Sequence, residues 1–302
     1  MRAATRGVHL SLLPLPLSVS LTRSPPPPPP SIRTSRKNQF LHSTSITDTC
    51  SFKLCCTTNE ESSQDFSILK TDLECDIGST WSTMAFYIFS LHIPLSFGGL
   101  SVVAQLLQQT ALDPNTQAFS LLLIQTLELV LFLSLLKFSD NRFNILSSFK
   151  TRALPEKRNW LLASVLGVGF LLALVFLTSL IADKLVGPKD VNSPILKEIL
   201  SGGSLSVTGS TLVYCLVTPF LEETVYRGFL LTSLGSTMKW EQAVVVSSIV
   251  FSASHLSVDS FLQLFVIGVV LGCSYCWSGT LVSPFVIHSL YNALILVITL
   301  TS

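Results

Sequence analysis

Long apolar segments separated by short polar stretches dominate the chain from residue 84 to its end. A helix that spans a membrane needs about 20 predominantly apolar residues. The pattern predicts spanning helices at 84–107, 117–138, 160–182, 212–234, 261–277 and 281–300, and a shorter helix at 242–256. Residues 191–209 are expected to hold a loop or a further amphipathic helix, which makes about seven or eight helices in all.

The composition agrees with a membrane protein. The chain of 302 residues is 48% hydrophobic and only 12% charged, whereas soluble domains carry about 25% charged residues. The net charge is +1, and no basic patch with interleaved aromatic residues indicates nucleic-acid binding. We therefore predict an all-α fold, a polytopic membrane helix bundle with a polar intramembrane cavity, whose surroundings are the lipid bilayer.

The first 55 residues differ in composition from the rest. They are basic and rich in serine and threonine, contain no acidic residue before Asp48, and include six consecutive prolines at 25–30. This composition is typical of an organelle transit peptide and favours a plastid (chloroplast) address. A secretory signal peptide and a plain disordered tail are the alternatives.

The remaining boundaries follow from hydropathy. Residues 56–83 are predicted to form a polar lead-in, 84–183 the N-terminal transmembrane helices, 184–210 a loop or amphipathic segment, and 211–302 the helices that carry the chemistry.

The stretch LEETVYRGFLL places three ionisable side chains in an otherwise apolar helix. Each costs about 2.5–3.5 kcal/mol to insert into a membrane, so such groups rarely occur there without a partner or a function. Glu223 and Arg227 are four residues apart and can pair on a helix. Glu222 lies about 100° round the helix from Glu223 and is left without that partner. We expect Glu223 to be a structural acid and Glu222 a chemically active one.

Two further helices carry polar pairs at the same spacing. Phe251 and His255 lie on one face of the segment FSASH, and His288 and Asn292 lie on one face of HSLYN. If the three faces converge, the resulting pocket favours hydrolysis. A buried glutamate can act as general base toward a water, a histidine can relay the proton, and histidine and asparagine donors can stabilise an oxyanion.

Simpler interpretations exist for each group alone. Glu223 and Arg227 can form a purely structural ion pair, and a single histidine or asparagine can serve as a hydrogen bond between helices. His92, Gln125 and Glu128 stand alone in their segments, and we expect them to be structural or lumen-facing.

A metal site is the main chemical alternative to the metal-free mechanism. His255, His288 and Glu222 are a possible zinc-ligand set, but the HExxH motif of zinc proteases does not occur. We expect no metal and no other cofactor. Gly268 and Gly272 have the spacing of small residues that permit close helix packing.

Taken together, EETVYR, FSASH and HSLYN resemble the three motifs EExxxR, FxxxH and HxxxN of the CAAX proteases and bacteriocin-processing enzymes. This family is also called the Abi or type II CAAX prenyl endopeptidase family. Every signature position is matched, and the resemblance covers about residues 206–302.

The resemblance implies intramembrane cleavage of a peptide or membrane-protein substrate. It assigns water activation to Glu222 and His255, the oxyanion site to His288 and Asn292, and the shaping of the pocket to Glu223 and Arg227, with Phe251 as a pocket residue. The alternatives are a non-proteolytic scaffold or regulator that keeps the fold, and a transporter that uses the buried acids as proton sites.

Overall fold

The computed structural model describes residues 66–67, 76–139, 148–149, 158–186 and 194–301. Within these ranges the chain forms eight helices and no strand. The helices are α1 Ile77–Leu106, α2 Pro114–Ser139, α3 Trp160–Val186, α4 Pro194–Leu200, α5 Ser204–Gly235, α6 Trp240–Ser254, α7 Phe261–Ser278 and α8 Val282–Thr301. The predicted transit peptide at 1–55 lies outside the described residues and stays a prediction.

Six of the helices, all except α4 and α6, are long and apolar enough to cross a membrane. Their outer faces carry large apolar side chains with high exposure, such as Phe89 at 71%, Leu123 at 72% and Leu166 at 60%. Contiguous apolar surface of this kind needs a partner, and a bilayer provides it along every spanning helix. The predicted class, an all-α polytopic membrane bundle, is confirmed.

Polar caps explain where helices begin and end. The side chain of Asp76 accepts hydrogen bonds from the backbone N–H groups of Gly78 (3.2 Å) and Ser79 (3.0 Å), so α1 begins inside the stretch expected to be a polar lead-in. Gly279 adopts φ 62° immediately after α7 and ends that helix in the left-handed conformation. Hydropathy does not register such a cap, which is why α1 begins earlier than predicted. Helix α5 also begins earlier than predicted, at Ser204, and has no side-chain cap.

Two helices contain π-helical turns. In α1 the turn spans Tyr87–His92, and in α5 the turns span Val213–Val217 and Glu223–Leu231. Pro94 and Pro219 follow the first two turns, and a proline cannot donate the backbone hydrogen bond that continues a regular helix. Turns of this type often occur at functional sites, and the third one contains most of the EETVYR motif.

Helices α6 and α7 pack closely because two glycines face α6. A Cβ added at Gly268 would lie 2.9 Å from the Cβ of Ser248, and one at Gly272 would lie 3.1 Å from a methyl group of Val244. This confirms the expected role of both glycines. Helix α3 packs on α7 and α8, while α2 packs on α1 and on the first part of α5. The acidic motif of α5 is thereby buried in the bundle.

We expect the substitution Gly268→Ala to lower the thermal stability of the protein, because α6 must move away to admit the methyl group. The cost is about 1–3 kcal/mol, as for overpacked cores, and a melting curve in detergent measures it. Gly169→Ala is the matched control, since a Cβ there meets nothing within 4 Å. Equal melting temperatures for the two variants would contradict the close approach.

Candidate active site

An ion pair on α5 is the centre of the buried polar cluster. The Nη1 group of Arg227 donates to Oε1 of Glu223 at 2.9 Å, and the two side chains are 1% and 0% exposed. The Nη2 group of Arg227 donates to the backbone carbonyl of Gly268 at 3.2 Å. The guanidinium also lies 4.6 Å from the ring centre of Phe251, a favourable cation–π geometry. Arg227 therefore joins α5 to both α6 and α7.

The ring of Phe251 packs edge-on against both histidines of the site. The centroid distances are 4.8 Å to His255 and 6.3 Å to His288, and Phe251 is 1% exposed. A bulky apolar ring in this position holds the imidazoles in place and keeps water from their inner faces. Phe251 thus lies in the pocket, as its place in the motif predicts.

His288 of α8 is held between the two adjacent carboxylates of α5. Its Nδ1 lies 2.8 Å from Oε1 of Glu223, and its Nε2 lies 3.7 Å from Oε2 of Glu222. The first contact is a hydrogen bond and the second is too long to be one. Because Glu223 accepts from Nδ1, the Nε2 atom is directed toward Glu222.

His255 occupies the C-terminal cap of α6. Its Nδ1 donates to the backbone carbonyl of Phe251 at 2.8 Å, and its Nε2 lies 3.9 Å from Oε1 of Glu222. The next residue, Leu256, has φ 49°, a conformation that costs a side-chain-bearing residue about 1–2 kcal/mol. The strained turn ends α6 directly after the motif and leaves the imidazole facing α5.

Glu222 therefore lies between two imidazoles, with one carboxylate oxygen toward each. It is 7% exposed, and neither distance is short enough for a direct hydrogen bond. Glu223, by contrast, uses Oε1 for both Arg227 and His288.

Asn292 lies one turn beyond His288 on α8. Its Nδ2 donates to the backbone carbonyl of Tyr214 at 2.8 Å, and its Oδ1 is buried with no hydrogen-bond partner among the described residues. Tyr214 belongs to the first π-turn of α5. Asn292 thus connects α8 to α5, and one of its two N–H groups remains for another acceptor.

The structure thus brings six of the seven motif residues into one cluster and places Asn292 beside it, on the same helix as His288. Sequence reasoning missed Tyr226, which is fully buried and donates to the hydroxyl of Ser254 at 2.6 Å. This aromatic residue lies inside the motif, but its apolar ring gave no reason to single it out.

The expectation that His92, Gln125 and Glu128 stand alone is wrong. Glu128 of α2 is fully buried and its Oε1 lies 2.8 Å from Nδ1 of His92 in α1. Gln125 donates to the hydroxyl of Ser96 at 3.2 Å. The signal was present in the sequence: His92 and Ser96 are four residues apart, and Gln125 and Glu128 are three apart, so each helix has a polar face.

The donor geometry does not match the zinc alternative. No group of three or more His, Cys, Asp or Glu side chains in the described ranges is arranged to hold a metal ion. The trio of Glu222, His255 and His288 therefore does not fit a structural or catalytic zinc site as it stands.

The fold and the cluster define a polytopic helical membrane protein with a buried glutamate–histidine site. Residues 204–294 match the family model described as type II CAAX prenyl endopeptidase Rce1-like. This match confirms the resemblance of the three motifs to that family. The match covers less than a third of the chain, begins with α5, and contains all seven motif residues.

No curated protein and no solved structure matches the chain.

We expect Arg227→Met to destabilise the protein by about 3–5 kcal/mol, because removing one partner of a buried ion pair leaves the other charge uncompensated. Chemical or thermal unfolding in detergent measures the loss. The double variant Glu223→Gln with Arg227→Met removes both charges and is expected to lose less. A double variant that is no more stable than the single one would show that Arg227 acts through its other contacts.

Proposed function

We propose that the protein is an intramembrane endopeptidase in which Glu222 and His255 activate a water molecule. The observation that carries the proposal is the position of the Glu222 carboxylate, 3.9 Å and 3.7 Å from the Nε2 atoms of His255 and His288. A water near these three groups would have a carboxylate to take its proton and an imidazole to pass that proton to the leaving amine.

The same geometry supports different roles for the two glutamates. Glu223 is anchored by Arg227 and His288, so its charge is already compensated by the protein. Glu222 has no such anchor and retains both oxygens for the reacting water. The proposal therefore assigns base catalysis to Glu222 and the shaping of the pocket to Glu223 and Arg227.

The oxyanion of the tetrahedral intermediate would be bound by donors from α8. When the water oxygen adds to the carbonyl carbon, the carbonyl oxygen becomes negatively charged, and preorganised N–H groups in a site from which water is excluded stabilise that charge. Nε2 of His288 is directed into the cluster, and Asn292 has one N–H group that is not used by Tyr214. When His288 is protonated on both nitrogens, its Nε2 can donate to the developing charge.

The substrate would be a peptide segment of a membrane-bound protein, since the site lies among helices whose outer surface is apolar. The basic, serine-rich N-terminal composition supports action in a plastid membrane. Import of a fusion between residues 1–83 and a fluorescent protein into isolated plastids tests that address separately from the chemistry.

We expect Glu222→Gln and His255→Ala each to lower the rate of peptide cleavage by about 10²–10⁴-fold, the range for loss of general acid–base catalysis. Purified protein in detergent or liposomes, incubated with a fluorogenic peptide library, provides the measurement. Glu198→Gln is the matched control, because it removes an exposed carboxylate on α4, far in sequence from the motifs.

Equal residual cleavage by the wild type and both variants would assign the activity to a contaminant. If the wild type cleaves nothing but Glu222→Gln still complements a cell that lacks the protein, the scaffold function is the correct one.

Asn292→Ala is expected to lower kcat by about 10²–10³-fold with little change in KM, as when a donor is removed from an oxyanion hole. The physical reason is that this donor interacts with charge that exists only in the transition state. Steady-state kinetics on the best peptide separates kcat from KM, and a melting curve identifies any loss of folding. An increase in KM alone would instead place Asn292 in substrate binding.

A further inference from the structure

A chain of hydrogen bonds joins the acidic motif of α5 to the end of α6. The hydroxyl of Tyr226 donates to Oγ of Ser254 at 2.6 Å, and the hydroxyl of Ser254 donates to the backbone carbonyl of Phe251 at 2.8 Å. The same carbonyl accepts from Nδ1 of His255 at 2.8 Å. The two helices therefore share one hydrogen-bonded path, which ends on the imidazole that faces Glu222.

The direction of each bond in this path follows from the groups at its ends. A carbonyl oxygen only accepts, so Ser254 and His255 must both donate to Phe251. The single proton of the Ser254 hydroxyl is thereby used, and Tyr226 must be the donor in the bond between the two hydroxyls. In its neutral form, His255 consequently carries its proton on Nδ1, and its Nε2 is left as an acceptor on the side of Glu222.

The bond between the two hydroxyls lies beside the gap between Glu222 and His255. On α5, Tyr226 follows Glu222 by four residues, so the two side chains lie close to the same face of the helix. On α6, Ser254 directly precedes His255. Each end of the bond thus belongs to the same turn as one member of the pair, whose facing atoms are 3.9 Å apart. The bond therefore helps to set that separation.

The end of α6 needs support of this kind. The last four carbonyls of a helix have no partner within it, and the carbonyl of Phe251 is one of them. The turn that follows is strained at Leu256, whose φ is 49°, and a strained backbone persists only where its surroundings fix it. Tyr226 is 0% exposed, and its ring packs edge-on against that of Phe251 with 5.2 Å between the centroids. This ring contact and the hydrogen bond together hold the last turn of α6 against α5.

We propose that Tyr226 and Ser254 are positioning residues for His255. They act through the Phe251 carbonyl and the last turn of α6, and they keep Nε2 of the imidazole directed at the space beside Glu222. Neither hydroxyl takes part in the reaction itself, because each has given its proton to the next group of the path. The kinetic part of this inference rests on the proposed peptidase function, whereas the orientation of the imidazole does not.

Two tyrosine variants separate this role from ordinary helix packing. Tyr226→Phe removes one hydroxyl and keeps the ring that packs against Phe251. Tyr275→Phe is the matched control, because Tyr275 is 4% exposed and its hydroxyl lies 3.2 Å from that of Thr232, in a hydrogen bond between α7 and α5. Both variants lose a tyrosine hydroxyl from a contact between helices, and only the first breaks the path to His255.

Steady-state cleavage of the best peptide gives the kinetic readout. In Tyr226→Phe we expect kcat to fall about tenfold at unchanged KM, because displacing a proton-transfer group slows the reaction without weakening substrate binding. Tyr275→Phe should keep the wild-type kcat. A residue that acts through His255 has no effect once His255 is gone. Adding Tyr226→Phe to His255→Ala should therefore lower kcat no further, while adding it to Asn292→Ala should keep its full effect.

The orientation of the imidazole is measured without any substrate. Long-range ¹⁵N–¹H correlation of histidine-labelled protein in detergent at about pH 9, well above the usual pKa of imidazole, distinguishes the two neutral tautomers. The spectrum of His255→Ala assigns the His255 signals. We expect the Nδ1-protonated pattern in the wild type and in Tyr275→Phe. In Tyr226→Phe the His255 signals should move toward those of a mixture of tautomers, while the His288 signals stay in place.

Unchanged His255 signals in Tyr226→Phe would overturn the inference whatever the rate, and would leave the peptidase proposal intact. An equal loss of kcat in Tyr226→Phe and Tyr275→Phe would also overturn it, because the bond would then be ordinary packing. If the wild type cleaves no peptide, the proposed function fails and the His255 signals alone decide.

A second variant serves if Tyr226→Phe does not fold. The double variant Tyr226→Phe with Ser254→Ala removes both hydroxyls together, so neither is left buried without its partner. The same results are expected of it, a lower kcat at unchanged KM and altered His255 signals. A double variant with wild-type His255 signals would show that the path does not position the imidazole.

Discussion

The charged side chains inside the apolar helix bundle must be compensated, and the packing of the helices depends on how this is done. An isolated ion in such surroundings costs several kcal/mol of stability, so each buried charge must be paired or hydrogen-bonded. Arg227 meets this requirement with Glu223, with the backbone carbonyl of Gly268 and with the ring of Phe251. These partners come from three helices, and satisfying one guanidinium therefore determines how α5, α6 and α7 lie relative to one another.

Close helix packing is the condition for that arrangement. The carbonyl of Gly268 is available to Arg227 because α7 has no side chain at the point where it meets Ser248 of α6. The π-turn at Glu223–Leu231 changes the spacing of side chains round α5, and both Glu223 and Arg227 still face inward. The two glycines, the π-turn and the ion pair therefore act together in packing the helices, and this packing sets the positions of the histidines.

Much of the fold could be predicted from the sequence, because apolar segments of about 20 residues identify spanning helices without any tertiary information. The start of α1 at Ile77 could not be predicted, because hydropathy does not register the Asp76 cap. The start of α5 at Ser204 was not predicted either, because residues 204–211 are rich in serine and threonine and fall below the hydropathy of a spanning segment. The motif spacing predicted which side chains share a face on each helix. It did not predict that α1 and α2 add a polar network, since the partners of Glu128 lie on another helix, 36 residues away in the case of His92.

The two neighbouring glutamates of α5 have different surroundings, and the proposed function gives them different roles, one structural and one reactive. Glu223 points to the side where Arg227 supplies its counter-charge and His288 a hydrogen bond, while Glu222 points to the gap between two imidazoles that it does not touch directly. Both contacts of Glu223 use Oε1, and its Oε2 is buried with no hydrogen-bond partner among the described residues. The pairing of Glu223 with Arg227 lets α5 pack in the bundle, and the proposed function assigns the reaction to Glu222, which has no such anchor.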